Sequence, residues 1–214
     1  TPIKSSAASD VYKRQFNYSI ILYHRNHMEG RSMLFAYETE RLLLKIIKPD
    51  QADAVLDFYM RDKELFEKFE PDRMPNFYTR QFQRQMLLFE YNMAVQGTLF
   101  RFYVYEKEHP ERIIGTICVH HITRGFSEQC EVGYKFSSAY HHRGYATESL
   151  RFIMDLVFRD LKLHRAMAWA LPDNTASIRL LERVGFVYEG ICHDYMMLNQ
   201  KWRDHAQFCM INPD

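Results

Sequence analysis

Tyr140–Ser149 reads YHHRGYATES and sits between a strand-like run, Cys130–Phe136 (CEVGYKF), and an amphipathic stretch, Thr147–Leu161. Leu150, Ile153, Met154, Val157 and Leu161 of that stretch fall on one helical face. Arg165–Leu171 (RAMAWAL) follows as a short apolar strand. A strand, a helix and a second strand in that order imply a parallel pair, because the helix carries the chain back before it runs forward again. Gly144 tolerates positive φ, and the residues after it lead into the free N–H groups of a helix start, which is a ready seat for an anion. Arg143, with His141 and His142 beside it, adds local positive charge. The same segment also reads as a plain connection with one glycine.

Upstream, Phe100–Tyr105 (FRFYVY), Ile113–Ile122 (IIGTICVHHI) and Cys130–Phe136 are separated by short turns at Lys107–Arg112 and Thr123–Gln129. Short turns between neighbours make an antiparallel meander. Arg41–Ile47 (RLLLKII) reads as a first strand, and Asp50 is placed to cap a helix over Gln51–Met60. Thr79–Val95 is a second helix ended by Gly97, and Lys63–Tyr78 between them is an aromatic loop with a short helix. Downstream, Thr175–Val184 is helical and stopped by Gly185. Gly190 separates Phe186–Tyr188 from a closing hairpin of Tyr195–Leu198 and Ala206–Ile211. The expected fold class is α/β (α+β), a mixed and mostly antiparallel sheet with one parallel pair and flanking helices.

Composition narrows the partners. The chain has 214 residues, 47% hydrophobic and 26% charged, with a formal net charge of +1. No global charge draws it to nucleic acid or to an anionic membrane, so an anion site must be local. No apolar run approaches the ~18–20 residues of a membrane span. Cys118, Cys130, Cys192 and Cys209 are scattered without metal-ligand spacing, as expected of reduced thiols in a cytoplasmic protein. Residues 1–15 (TPIKSSAASDVYKRQ) lack apolar periodicity and resemble translated adapter sequence. Residues 1–32 are therefore expected to be a non-native or disordered extension and residues 33–214 the domain, although Phe16–Tyr23 (FNYSIILY) is apolar enough to pack.

The segments taken in order resemble the GNAT acetyltransferases, and within them the RimJ/RimL-like ribosomal-protein N-acetyltransferase branch. Glu131–Tyr134 (EVGY) matches the branch's Glu-hydrophobe-Gly-Tyr strand end, Gly144 and Ala146 match its Gly-rich loop, and Thr147–Ser149 its helix start. Asn174, Ser177, Gly185 and Phe186 match its Asn-x-x-Ser before a Gly-Phe, and Thr39–Leu43 (TERLL) looks like its first strand. His141 stands where the family has Arg or Gln, so the side chain departs from the pattern while the backbone does not.

The resemblance implies an enzyme that moves an acetyl group from acetyl-CoA to a primary amine, with a protein N-terminus as the favoured acceptor. A small amine (a polyamine, an aminoglycoside or an amino-acid-like toxin) and a non-catalytic acetyl-CoA sensor are the alternatives, and the chain would act as a monomer or homodimer. It places the pantetheine arm along Val132, Tyr134, Lys135 and Phe136, where the parallel pair would splay. It places the pyrophosphate on His141, His142, Arg143, Gly144, Tyr145, Ala146 and Thr147. An amide near Tyr134 would meet the oxyanion. Ser177 would protonate the leaving thiolate, and Asn174 would touch the arm or cap the helix at Thr175. Glu131 would accept the amine proton through water or pair with Lys135, with which it shares a strand face. His120 and His121 are rival bases and Tyr195 a rival acid, while Trp169, Met196, Met197 and Trp202 read as packing. Gly133 leaves room for close approach or marks a bulge. The cluster Asp62, Glu64, Glu67, Glu70 and Asp72 reads as a solvated face or as an acidic pocket for a polycation.

Overall fold

Along Phe100–Glu106 every second side chain enters a different apolar layer. Phe100, Phe102 and Val104 join one buried cluster, and Tyr103 and Tyr105 join another. A strand buried on both faces requires helices on both faces. The computed structural model describes residues 34–213, so the reading of residues 1–32 falls outside it.

The chain opens with β1 (Ala36–Glu38) and β2 (Leu42–Lys45), then α1 (Ala52–Arg61), α2 (Lys63–Phe69) and α3 (Arg80–Val95). Next come β3 (Phe100–Glu106), β4 (Ile113–Thr123), β5 (Gln129–Phe136), α4 (Tyr145–Arg159), β6 (Arg165–Ala170), α5 (Thr175–Val184), β7 (Val187–Leu198) and β8 (Lys201–Ile211). The strands form one sheet in the order β1-β2-β3-β4-β5-β6-β8-β7. All neighbours are antiparallel except β5 and β6. The expected mixed sheet with a central parallel pair is therefore present.

One cluster packs Leu150, Ile153, Leu156 and Val157 of α4 and Leu180, Leu181 and Val184 of α5 onto Val132, Ile117 and Phe102. The other packs Val55, Phe58 and Tyr59 of α1, Phe66 of α2 and Leu87 of α3 onto Tyr103, Tyr105 and Ile113. Thr79 caps α3 by accepting from the Phe82 amide at 3.2 Å, and Gly185, at φ 114°, closes α5 in the left-handed conformation.

Four expectations need correction. The Asp50 side chain caps nothing at the α1 start, because Pro49–Gln51 form a 3-10 turn that leads into the helix. The α4 helix begins at Tyr145, two residues before Thr147, because Gly144 already turns the backbone into position. Gly190 does not end a strand; β7 runs through it with register shifts on either side of Ile191. Gly133 is not a bulge, since it pairs regularly with Cys118.

Gly115 is a steric requirement. A Cβ there would lie 2.4 Å from the Phe136 ring, while one at Gly133 would meet only His120 Nε2 at 3.7 Å. Gly115→Ala is expected to destabilise the fold by about 1–3 kcal/mol through overpacking. Gly133→Ala should shift the urea midpoint far less. Chemical denaturation of the two variants side by side checks the contrast.

Candidate active site

The parallel pair is short. Gln129, Cys130 and Glu131 of β5 pair with Arg165, Ala166 and Met167 of β6, and the pairing stops there. β6 continues to Ala170 against β8, so Val132–Phe136 and Ala168–Ala170 diverge into a wedge. Tyr134 and Ser177 bridge the wedge, with Tyr134 Oη 2.8 Å from Ser177 Oγ and donating to the Ser177 carbonyl at 3.3 Å. Burial pushes the Tyr134 phenol up, so it stays protonated at physiological pH. Asn174 Oδ1 accepts from the Ser177 amide at 3.2 Å. That bond is the helix cap.

Beyond β5 the chain makes a 3-10 turn at Ser138–Tyr140 and enters the loop. His142 (φ 61°) and Gly144 (φ 81°) are left-handed, and no side chain caps the α4 start. The first-turn amides of Tyr145, Ala146 and Thr147 therefore present an uncapped positive dipole end. This surface fits a pyrophosphate. His141 bonds back to the Phe136 carbonyl through Nε2 at 2.9 Å, so its ring braces the loop. His142 and Arg143 are exposed, and Arg143 lies over the Tyr140 ring at 5.2 Å.

The loop is held from behind by Thr39, Arg41 and Glu148, which the motif reading placed in matching segments but gave no role in bracing it. Arg41 Nε donates to Glu148 Oε2 at 2.8 Å, and Arg41 Nη1 donates to the Arg143 carbonyl at 3.0 Å. The Arg41 amide and the Thr39 hydroxyl both donate to Glu148 Oε1, at 2.9 and 2.6 Å. The Arg41 guanidinium also covers the Tyr145 ring at 4.6 Å, and Tyr145 Oη donates to Glu106 Oε1 at 2.5 Å. At the front of the loop, Asp62 accepts from Ser137 Oγ at 2.5 Å and the Ser138 amide at 3.1 Å. Burial alone would raise the Asp62 carboxyl, but these bonds outweigh it and hold it below its ordinary value.

Strand alternation puts a second set on the opposite face of β5. Glu131 pairs across the sheet with His120. Its Oε2 lies 2.9 Å from His121 Nδ1 and 3.8 Å from His120 Nδ1. Lys135, expected as a possible partner of Glu131, instead pairs with Glu70 and lies 5.0 Å over the Tyr59 ring. Burial lowers its ammonium to about 8. Phe136 and Val132 are buried, so with Lys135 they can offer a cofactor only their backbone. Tyr195 stacks on Trp169 at 5.3 Å and 8°. Burial, and then the Glu131 charge, raises its phenol. Trp169 Nε1 is buried with no acceptor among the described residues. Met197 and Trp202 are exposed.

Residues 41–187 match the family described as Acetyltransferase (GNAT) domain. The chain belongs to the GNAT acetyltransferases. Its activity is the transfer of an acetyl group from acetyl-CoA to an amine. This GNAT enzyme is 30% identical over 173 residues to the probable N-acetyltransferase YjcK of Bacillus subtilis, covering 81% of this chain and 95% of that one. It is 29% identical over 178 residues to the ribosomal protein uS5-alanine N-acetyltransferase of Escherichia coli, covering 82% and 90%. Its structure resembles that of the ribosomal-protein-S5-alanine acetyltransferase of Vibrio fischeri, with a TM-score of 0.79 at 32% identity over 84% of this chain and 97% of that one. It also shares its fold with Mycobacterium smegmatis RimJ, solved in complex with CoA-disulfide, with a TM-score of 0.75 at 24% identity over 79% and 81%. No helix among the described residues is long and apolar enough to cross a membrane.

Arg41→Ala removes the brace without touching the anion-facing amides. It is expected to raise the Kd for CoA roughly tenfold, the ~1.4 kcal/mol of about one charge-assisted hydrogen bond, with the acceptor KM near the parent value. Calorimetric titration of CoA, with steady-state kinetics alongside, tests this.

Proposed function

We propose that this enzyme acetylates a protein N-terminal α-amino group, of the kind its ribosomal-protein-modifying relatives modify. The fate of the acidic cluster carries this reading. Asp62 is taken by Ser137 and Ser138, and Glu67 accepts from Tyr78 Oη at 2.8 Å. Glu70 pairs with Lys135 and Arg73, and Asp72 accepts the Asn199 and Gln200 amides at 2.8 and 3.2 Å. Of the five, only Glu64 stands exposed with no hydrogen bond or ion pair among the described residues. A cavity of about 300 Å³ beside this segment is lined by Lys63 and Arg73 as well as Glu67 and Asp72. Such a mixed lining does not select a polycation, which argues against polyamines and aminoglycosides. An α-amino group, with pKa ~8 against ~10.4 for lysine, also reaches its neutral form more readily. Four free thiols fit a reducing cytoplasm.

In this reading the uncapped α4 start and Gly144 hold the pyrophosphate, and the free edge of Val132–Phe136 holds the pantetheine arm. Acetyl-CoA supplies the activated acetyl group as a thioester. Glu131 accepts the proton of the attacking amine, directly or through water. A β5 amide near Tyr134 donates to the carbonyl oxygen as charge develops on it. Ser177 Oγ gives its proton to the departing sulfur and recovers one from solvent, with Tyr134 Oη 2.8 Å away holding it in place.

Incubation with acetyl-CoA and a panel of N-terminal peptides, lysine peptides, spermidine and an aminoglycoside, read by intact mass, tests the acceptor. The expected product is the α-acetylated peptide; transfer to the small amines alone, or CoA binding with no transfer, would sink the reading. Ser177→Ala should lower kcat by roughly 10²-fold, and a rate near the parent's would remove Ser177 as the acid.

A pH profile separates the amine from the histidine. Burial, then His121 and Arg101, lower His120 to about 4, so it is neutral throughout pH 5–8. The kcat/KM for a peptide should climb toward pH ~8 as the α-amine deprotonates, with no step near 6.5. A step there that His120→Asn abolishes would make His120 the base.

A further inference from the structure

His120 and His121 are consecutive on β4, and regular alternation would send their rings to opposite faces. They do not separate. The register between β4 and β5 shifts between His120 and Thr123, and His121 takes the left-handed conformation at φ 48°. The bulge swings His121 round until both imidazoles face one carboxylate, with ring centroids 4.7 Å apart. One ring nitrogen each of His120 and His121 and a Glu131 oxygen all lie within 4.8 Å of one another.

A tetrahedral zinc with ligands at ~2.0–2.1 Å holds them ~3.4 Å apart. The observed 2.9 Å from His121 to Glu131 and 3.8 Å from His120 to Glu131 bracket that spacing. Two imidazoles and a carboxylate form a donor set for Zn²⁺, with the fourth position left to water. The His121 side chain is 72% exposed and the other two are 29% and 20% exposed, so an ion has a path from solvent to partly desolvated ligands. The nearby positive charge of Arg101 is neutralised by Glu90 at 2.5 Å. The Tyr195 phenol keeps its proton and adds no competing charge.

We propose that His120, His121 and Glu131 form a zinc site on the acceptor face, and that zinc bound there blocks acetyl transfer by occupying Glu131. The binding half stands on the geometry alone. The inhibitory half rests on the reading of Glu131 as the proton acceptor.

Zinc chloride titrated into the untagged chain, against a chromophoric chelator, is expected to show one site per chain with micromolar affinity or better. His121→Asn keeps a residue that tolerates positive φ and removes the imidazole; Glu131→Gln removes the carboxylate charge. Each should weaken zinc binding by about tenfold or more, while calorimetric CoA affinity, which reports folding, stays at the parent value. No zinc binding by the parent chain in this range, or unchanged binding in either variant, overturns the site. Zinc added to the transfer assay should then stop turnover and leave CoA affinity intact. Turnover that persists with the site filled overturns the inhibitory half and removes Glu131 as the proton acceptor, while the metal site stands.

Discussion

The parting of β5 and β6 after Glu131 is the constraint on which the rest of the site depends. Three residue pairs hold the parallel ladder, and beyond them each strand is held only on its far side, β5 by β4 and β6 by β8. Backbone groups left off a ladder must find another partner. At the end of β5 that role falls to the His141 ring on the Phe136 carbonyl, while the Tyr134–Ser177 bridge ties the strand's side chain to α5. An extended ligand arm that lies between the strands completes the edge in the manner of an added strand.

The wedge is useful only if the loop beyond it is fixed, and both of its ends are tied to distant segments. Arg41 and Thr39 tie its helix end through Glu148, and Asp62 ties its strand end through Ser137 and Ser138. Asp62 also joins α1 to α2, the two helices over the opposite face of the sheet. The helices and the loop thus share a buried carboxylate with two bonds. Glu148 has a further effect, since an acidic side chain in the first turn of α4 offsets part of the dipole that attracts phosphate. Its pairing with Arg41 cancels that penalty.

Strands, helices and their order were legible because local periodicity and turn residues produce them. The motif order from Glu131 to Phe186 was legible because each segment carries its own chemistry. Contacts between remote segments were not. Thr39–Leu43 resembles the family's first strand, yet nothing in it says that Arg41 meets a carboxylate 107 positions away. The Lys135 ammonium lies with Glu70 instead of Glu131 because Tyr59 and Phe66 approach from helices whose docking no local pattern specifies. The acidic run Asp62–Asp72 looks solvated in one dimension; apart from exposed Glu64 and the short Glu70–Arg73 pair, its carboxylates are spent on partners 11 to 128 residues distant. The bulge at His121 breaks the very alternation used to read the strand.

Alternation along β5 also decides how transfer chemistry can be divided. Glu131 and Gly133 face α1 and α2, with His120, Trp169 and Tyr195 around them, while Val132 and Tyr134 face α4 and α5. Acetyl transfer takes a proton from the entering amine and gives one to the leaving thiolate. On the proposed reading these events fall on opposite faces of one strand, the first at Glu131 and the second at Ser177 beside Tyr134. A carboxylate on the acceptor face favours loss of the amine's proton, and the hydroxyl pair on the other face offers neutral donors with no charge to repel the thiolate. On that reading Gly133, which carries no side chain, leaves room for the carbonyl to be reached from the amine's side.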